Sequence, residues 1–305
     1  MGDAAHAELL DHQVFQKPFK VEPEFEHWNT PEDYHRQHIG EDKLPDKMKV
    51  WRVQQSDKTF GGVVSRAYNF GYPDDEVLVR GYNTGKEYGA AGVGRHGNFL
   101  QWGYAAPPSK MTEAGQKTFL NCICYIHKFN GKQPLIRKQS STRESAVRLA
   151  AIINKVINQD HKDFFMSNFP KELYNEYRNN ADGLVQYYEK NLELVYHNEV
   201  FLVDHELEKL GIESNRKINT LEQLIKLLDS REEANLAKYL LERYTEQSFM
   251  SKRGWRNWFE KNRKRIFFSD FGGYKFRVVP QQYLEKTLEV EEKEPSTVNV
   301  EGSDI

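Results

Sequence analysis

Residues 89–131, GAAGVGRHGNFLQWGYAAPPSKMTEAGQKTFLNCICYIHKFNG, constrain the fold of this chain more than any other segment. Two short apolar runs flank a His-Gly-Asn turn in which glycine or asparagine tolerates positive φ, so the pattern predicts two strands joined by a tight turn. Pro107-Pro108 ends the second strand. Thr112 is a good N-cap for the helix that follows, and Gly131 ends that helix.

The helix predicted in this segment carries large apolar residues at helical spacing. Phe119, Ile123 and Ile126 fall at i, i+4 and i+7, with Leu120 and Cys124 beside them. We expect this wide stripe to be buried against the strands. A strand followed by a helix at this distance indicates an α/β layer rather than an all-β domain.

The chain changes character near residue 135. Before it, runs of β-branched and aromatic residues at 48–53 and 75–80 predict further strands. After it, apolar periodicity and helix-start patterns predict helices over 141–157, 221–229, 231–244 and 254–265, and one long helix or a broken pair of helices over 171–196. The remainder to 279 fits a closing hairpin or an extended arm. We therefore predict an incomplete α/β module over 1–135, an all-α helical domain over 136–280 and a disordered acidic tail over 281–305.

Charge and composition exclude several classes of protein. The 305 residues carry a net charge of −2, which gives no global attraction to nucleic acid or membrane. No apolar run approaches the roughly 18–20 residues of a transmembrane helix, and the N-terminus has no secretory signal pattern. We expect a soluble chain, cytoplasmic as written, of which a longer form could be exported. No cofactor is predicted, and no metal either, because His35-x-x-His38 lacks a third ligand at a definite spacing.

Three motifs follow one another in residues 75–131: DEVLVRGYNTG, then GVGRHGN with FLQWGY, then MTEAGQKTFLNCICYIHKF. In this order they resemble the C-terminal part of class I glutamine amidotransferase-like α/β domains, in particular the trehalose-utilisation (ThuA-like) branch. HQVF at residues 12–15 is similar to a His-Pro-x-Phe segment of that family. The resemblance implies a partial flavodoxin-like layer and a carbohydrate ligand. Residues 219–268 resemble a HEAT-type helical hairpin followed by a Trp-x-x-Trp-Phe helix.

The chain departs from this family at the catalytic cysteine. Enzymes of the amidotransferase class use a cysteine in a Gly-x-Cys-x-Gly elbow, and no such pattern occurs here. The two cysteines, Cys122 and Cys124, lie inside the predicted helix. The resemblance therefore implies a member without the cysteine nucleophile, linked to carbohydrate binding or processing.

The candidate site follows the first strand of the GVGRHGN motif. In open α/β sheets ligands bind beyond the carboxyl ends of strands, which would bring Arg95, His96 and Asn98 to a ligand. We predict His96 as the acid or base and Arg95 as an electrostatic clamp. Trp102 and Tyr104 on the next strand are candidates for stacking on a sugar ring. The structural alternative is a turn arginine, a hydrogen-bonded histidine and two core aromatic residues.

Two other functions are open at this point. The helical half fits a catalytically silent scaffold that binds a partner protein. The run KRGWRNWFEKNRKR at 252–265 holds seven basic residues and one glutamate, so it also fits nucleic-acid phosphates with a stacked tryptophan. Nucleic acid is the weaker alternative, because the whole chain lacks a basic excess.

Overall fold

The computed structural model describes residues 2–38, 43–55, 62–138, 141–153, 155–156, 158–281 and 283–284. The chain forms two compact units, residues 1–135 with 281–305 and residues 136–280. The division falls where the sequence changes character. Most of the acidic tail expected over 281–305 lies outside the described residues. Within those ranges, no helix is both long and apolar enough to cross a membrane.

The first unit is built on antiparallel strands. Strands β1 (Ala4–His6), β2 (Phe25–Asn29) and β3 (Lys47–Arg52) form one sheet in the order β1-β3-β2, and β4 (Asp75–Arg80), β5 (Ala91–His96) and β6 (Phe99–Trp102) form a second in chain order. Ala5 and Gly81 form an antiparallel bridge, so the two sheets meet where β1 lies beside the end of β4. Helices α1 (Glu32–Gln37) and α2 (Glu113–His127) belong to the same unit.

The predicted mixture of helices and strands is confirmed, but the strand directions differ from those of a flavodoxin-like layer. Every strand pair in the described residues is antiparallel, whereas flavodoxin-like sheets are mostly parallel. The connections explain the difference. Residues 81–90 join β4 to β5, and two residues join β5 to β6, which is too short for the helical crossover that parallel neighbours require.

Helix α2 buries a different face from the predicted one. Leu120 and Ile123 are 46% and 50% exposed. Asn121 is fully buried, because its Nδ2 donates to the carbonyls of Val14 (2.9 Å) and Phe19 (2.7 Å) while its Oδ1 accepts from the Phe19 N–H. The buried face consists of Gly115, Thr118, Asn121, Cys122 and Tyr125. Part of the apolar stripe therefore faces solvent.

The start of α2 is fixed by a close backbone approach. Thr112 caps the helix as predicted, accepting a hydrogen bond from the Gly115 N–H (3.0 Å). A Cβ atom on Gly115 would lie 1.9 Å from the carbonyl oxygen of Val53. Only glycine fits there unless the helix moves away from the chain that follows β3.

Gly115→Ala is expected to destabilise the first unit by about 1–3 kcal/mol, because the added methyl overlaps a backbone carbonyl. In an unconstrained helix the same change stabilises the helix by about 1 kcal/mol. The sign of the change in stability therefore tests whether Gly115 lies against the Val53 carbonyl. Amide hydrogen exchange of α2 and β3 measures it. Leu120→Ala on the exposed face of α2 is the control and should change little; a stabilised Gly115→Ala variant would contradict the expectation.

The second unit is mainly helical and includes two β-hairpins. Its helices are α3 (Arg143–Ile153), α4 (Gln159–Met166), α5 (Lys171–Tyr177), α6 (Ala181–Lys190), α7 (His205–Lys209), α8 (Ile218–Leu227), α9 (Ala234–Thr245) and α10 (Lys252–Asn262). The hairpins are β7 (Val195–Asn198) with β8 (Val200–Val203), and β9 (Ile266–Ser269) with β10 (Lys275–Val278). The second hairpin is one of the two arrangements that the sequence leaves open for the residues after α10. The first hairpin corrects the all-α expectation. One apolar core joins these elements, with Leu184, Tyr188, Leu224, Leu240 and Trp255 at its centre.

Candidate functional site

The predicted site residues lie at one end of the β4–β5–β6 sheet. Asp75 and His96 face each other across β4 and β5, and Gly97 and Asn98 form the turn into β6. Gly97 has a φ of +58°, in agreement with the predicted turn. A Cβ atom there would lie 2.6 Å from the backbone nitrogen of Pro134. The turn is therefore packed closely against the chain, which restricts where His96 can point.

His96 has a carboxylate neighbour that the sequence did not reveal. Its Nε2 lies 3.3 Å from Oδ2 of Asp74, in ion-pair range but without hydrogen-bond alignment. Asp74 is buried, and the same oxygen accepts a hydrogen bond from the Leu135 N–H (2.6 Å). Burial raises the pKa of Asp74, but the imidazole of His96 and the Leu135 N–H outweigh it, so the net shift is downward. An ionised carboxylate thus faces an imidazole whose side chain remains 23% exposed.

Arg95 is engaged within its own chain. Its Nε donates to Glu76 Oε1 (2.6 Å), and its Nη1 donates to the carbonyls of Asp74 and Gly97 (3.0 Å each). The guanidinium carbon lies 3.8 Å from the centre of the Phe129 ring. Arg95 is buried, and these contacts hold the ends of β4 and β5 together. The predicted clamp on a ligand gains no support from this position.

Glu76 is bonded to groups from three parts of the first unit. Besides Arg95, the Tyr125 hydroxyl donates to Oε1, and His12 Nε2 lies 3.6 Å from Oε2. His12 Nδ1 accepts from the Val14 N–H (3.2 Å), so the proton of the neutral ring is on Nε2 and faces Glu76. Burial raises the pKa of Glu76, but the facing His12 imidazole and the hydrogen bonds from Tyr125 and Arg95 lower it to about 2. Glu76 is therefore ionised, and its hydrogen bonds hold β4 to β5 and to α2.

The remaining predicted ligand-binding residues have different surroundings. The Oδ1 of Asn98 is enclosed and makes no hydrogen bond within the described part of the chain. Trp102 packs edge-on against Phe119, with ring centres 4.9 Å apart. Tyr104 is 4% exposed, and its hydroxyl donates to the Ala4 carbonyl (3.3 Å). Tyr104 is therefore a core residue and does not form the predicted sugar-stacking surface, whereas Trp102 is half-buried and packs against the edge of the same core.

The two cysteines offer no activated nucleophile in this geometry. Cys122 is buried, and burial raises the pKa of its thiol to about 12, so the thiolate is scarce at neutral pH. Cys124 is exposed in the middle of α2. No cluster of three or more His, Cys, Asp or Glu side chains suited to a metal ion occurs among the described residues.

No protein-family model, curated protein or solved structure matches this chain. The site is therefore judged on its own geometry. Sequence reasoning found His96 but missed Asp74 beside it, and it found Arg95 but missed its partner Glu76. The sequence does hold a signal for the Glu76–Arg95 pair. The two residues are directly opposite in the β4–β5 register, and opposite charges at facing positions stabilise antiparallel strands.

Proposed function

We propose that the first unit carries a proton-transfer site that acts on a hydroxyl-rich ligand. His96 is the acid or base in this proposal, and Asp74 is the residue that positions it. The observation that supports it is the 3.3 Å contact between His96 Nε2 and Asp74 Oδ2. A carboxylate at one ring nitrogen orients an imidazole. The opposite nitrogen, Nδ1, is then the one that exchanges a proton with a ligand.

Carbohydrate is the proposed ligand class. The support is the resemblance of GVGRHGN and its flanking motifs to the ThuA-like branch, which makes the chain a proposed member without the cysteine nucleophile. The raised pKa of the Cys122 thiol agrees with that second part. The proposal does not depend on a flavodoxin-like layer. The antiparallel strands give no support to such a layer. The proposal rests on the motif residues and the Asp74–His96 pair alone.

His96→Ala is expected to reduce turnover by about 10²–10⁴-fold, the usual contribution of a general acid or base. The full chain would be screened against mono- and disaccharides and aryl glycosides, and variants compared on any substrate found. Asp74→Asn should retain binding and lower turnover less than His96→Ala, with an altered pH–rate profile, because it leaves the imidazole in place without its carboxylate. His127→Ala, a change at an exposed histidine of α2, is the matched control. Equal turnover in His96→Ala and wild type would refute the proposal.

A second candidate is a catalytically silent scaffold that binds a protein partner through the helical unit. Two observations favour it: the engagement of Arg95 by its own chain, and the exposed basic surface of α10 described below. Binding of such a partner should be unaffected by His96→Ala. The His96→Ala variant therefore distinguishes the two candidate functions.

A further inference from the structure

Helix α10 has one buried aromatic face and one exposed basic face. Trp255 and Phe259 are 1% and 2% exposed and lie in the core of the second unit, and Trp258 packs partly against that core. Arg253, Arg256 and Lys261 lie on the opposite side of the helix, and Lys264 lies in the 3-10 turn that directly follows it. We name these four exposed basic residues the α10 basic face. At 1.5 Å per residue it extends over about 17 Å.

The basic residues near α10 divide into engaged and unengaged groups. Lys252 pairs with Asp229, and Arg263 pairs with Glu222. Arg265 donates to the Val279 carbonyl (3.0 Å). These three contribute to the packing of the second unit. The four residues of the α10 basic face have no hydrogen bond or ion pair within the described residues.

Neither helix stability nor composition accounts for this face. Like charges three or four residues apart on a helix repel and destabilise it slightly, and Arg253 with Arg256, and Lys261 with Lys264, have this spacing. One acidic residue, Glu260, lies among them. The chain as a whole has 43 basic and 45 acidic residues, so the local excess does not follow from a basic composition.

We propose that the α10 basic face binds a carboxylate-rich segment of a partner protein. Charge complementarity is the argument: four unengaged cations along α10 and the turn that follows it match acidic side chains spaced along a helix or an extended segment. Single-stranded nucleic acid fits less well, because base stacking on exposed aromatic rings supplies much of its affinity. Here the tryptophans face the core. The proposal is independent of the His96 site.

The test measures binding of a fluorescent 20-residue polyglutamate peptide to the full chain by polarisation at several salt concentrations. Arg253→Glu with Arg256→Glu is expected to weaken binding by about tenfold or more, since it converts two attractions into two repulsions. The control, Lys209→Glu with Arg231→Glu, makes the same change in net charge at exposed residues of the same unit and should keep most of the affinity. A milder pair, Lys261→Gln with Lys264→Gln, covers the case in which the double reversal does not fold, which circular dichroism would reveal.

Three outcomes would overturn the proposal. Equal losses in the test and control variants would mean that net charge alone drives binding. No measurable binding of polyglutamate at low salt would mean that the face does not recognise carboxylates. Tighter binding of an oligonucleotide of matched length and charge, lost in the Arg253/Arg256 variant, would assign the face to nucleic acid instead.

Discussion

Replacing Arg143 with alanine is expected to lower the free energy of unfolding of the second unit by about 3–5 kcal/mol, the usual cost of removing one partner of a buried ion pair. Arg143 is completely buried and faces Asp270, with Nη2 2.7 Å from Oδ1. Burial lowers the pKa of Arg143, but the Asp270 carboxylate outweighs it, so the net shift is upward and the charge is retained. Without the guanidinium, the carboxylate loses its counterion.

The loss extends beyond one pair, because every N–H of the guanidinium has an acceptor. Nη1 donates to the carbonyls of Leu192 (3.0 Å) and Glu193 (3.3 Å). Nη2 donates to Asn215 Oδ1 (3.0 Å) as well as to Asp270, and Nε also donates to Asp270 (3.1 Å). Five donors are the full capacity of an arginine. Arg143 thereby joins the start of α3 to the segments that precede β7 and α8 and that follow β9.

Hydrogen exchange of α3 and β9 amides is the appropriate measurement, because a chain of two units need not unfold in one step. Arg231→Ala, at an exposed arginine of the same unit, should change stability by less than about 0.5 kcal/mol. Arg143→Met combined with Asp270→Leu should recover part of the loss, since it removes both charges. An Arg143→Ala variant within about 1 kcal/mol of wild type would contradict the assigned role.

The first unit is expected to lose about 2 kcal/mol of stability as the pH falls from 6.5 to 4.5, because of His6. His6 is 1% exposed. Its Nε2 lies 3.0 Å from the Tyr34 hydroxyl, and the rings of Tyr82 and Tyr88 are in contact. Burial, with the positive charge of Arg80, lowers the pKa of His6 from 6.5 to about 4. The folded state therefore keeps His6 neutral, while the unfolded chain takes up a proton below pH 6.5 and is stabilised by it.

Nuclear magnetic resonance titration of the His6 ring, with hydrogen exchange of β1 and β3 between pH 7 and 4.5, tests this. The contribution of His6 is complete above pH 6.5 and declines below it. Glu76, whose pKa hydrogen bonds lower to about 2 against the effect of burial, loses its contribution only below its ordinary value of 4.5, so the chosen window separates the two groups. His127→Ala should leave the pH dependence unchanged. A His6 pKa near 6.5 would show the prediction to be wrong.

The sequence predicted elements well where a local signal decides them. The Thr112 cap, the tight turn at Gly97 and the hairpin after α10 follow from single residues or short runs, and the structure has all three. The pattern also predicts a helix over 221–229, but α8 begins at Ile218, so Thr220 lies in its first turn and its hydroxyl donates to the Ser214 carbonyl (2.5 Å). The sequence does not reveal this contact with the preceding loop.

The contacts between segments that are distant along the chain could not be predicted from the sequence. The face of α2 was predicted from apolar spacing, yet Asn121 is drawn inward by carbonyls about 100 residues earlier. Arg143 lies at the start of the helix predicted over 141–157, and its carboxylate partner lies 127 residues later. The same holds for the candidate site: His96 stands out in its motif, but only the pairing of β4 with β5 brings Asp74 to it.

The central place of β1 has a consequence for how the first unit folds. Residues near the start of the chain pair on one side with β3 and on the other with the end of β4, as in the bridge between Ala5 and Gly81. The sheet cannot grow strand by strand in the order of synthesis, because its middle is completed only after some eighty residues exist. Pairings between such distant positions slow folding. Hairpins of the second unit such as β7–β8 and β9–β10 close locally, so in refolding kinetics the first unit should be the slower to reach its native protection.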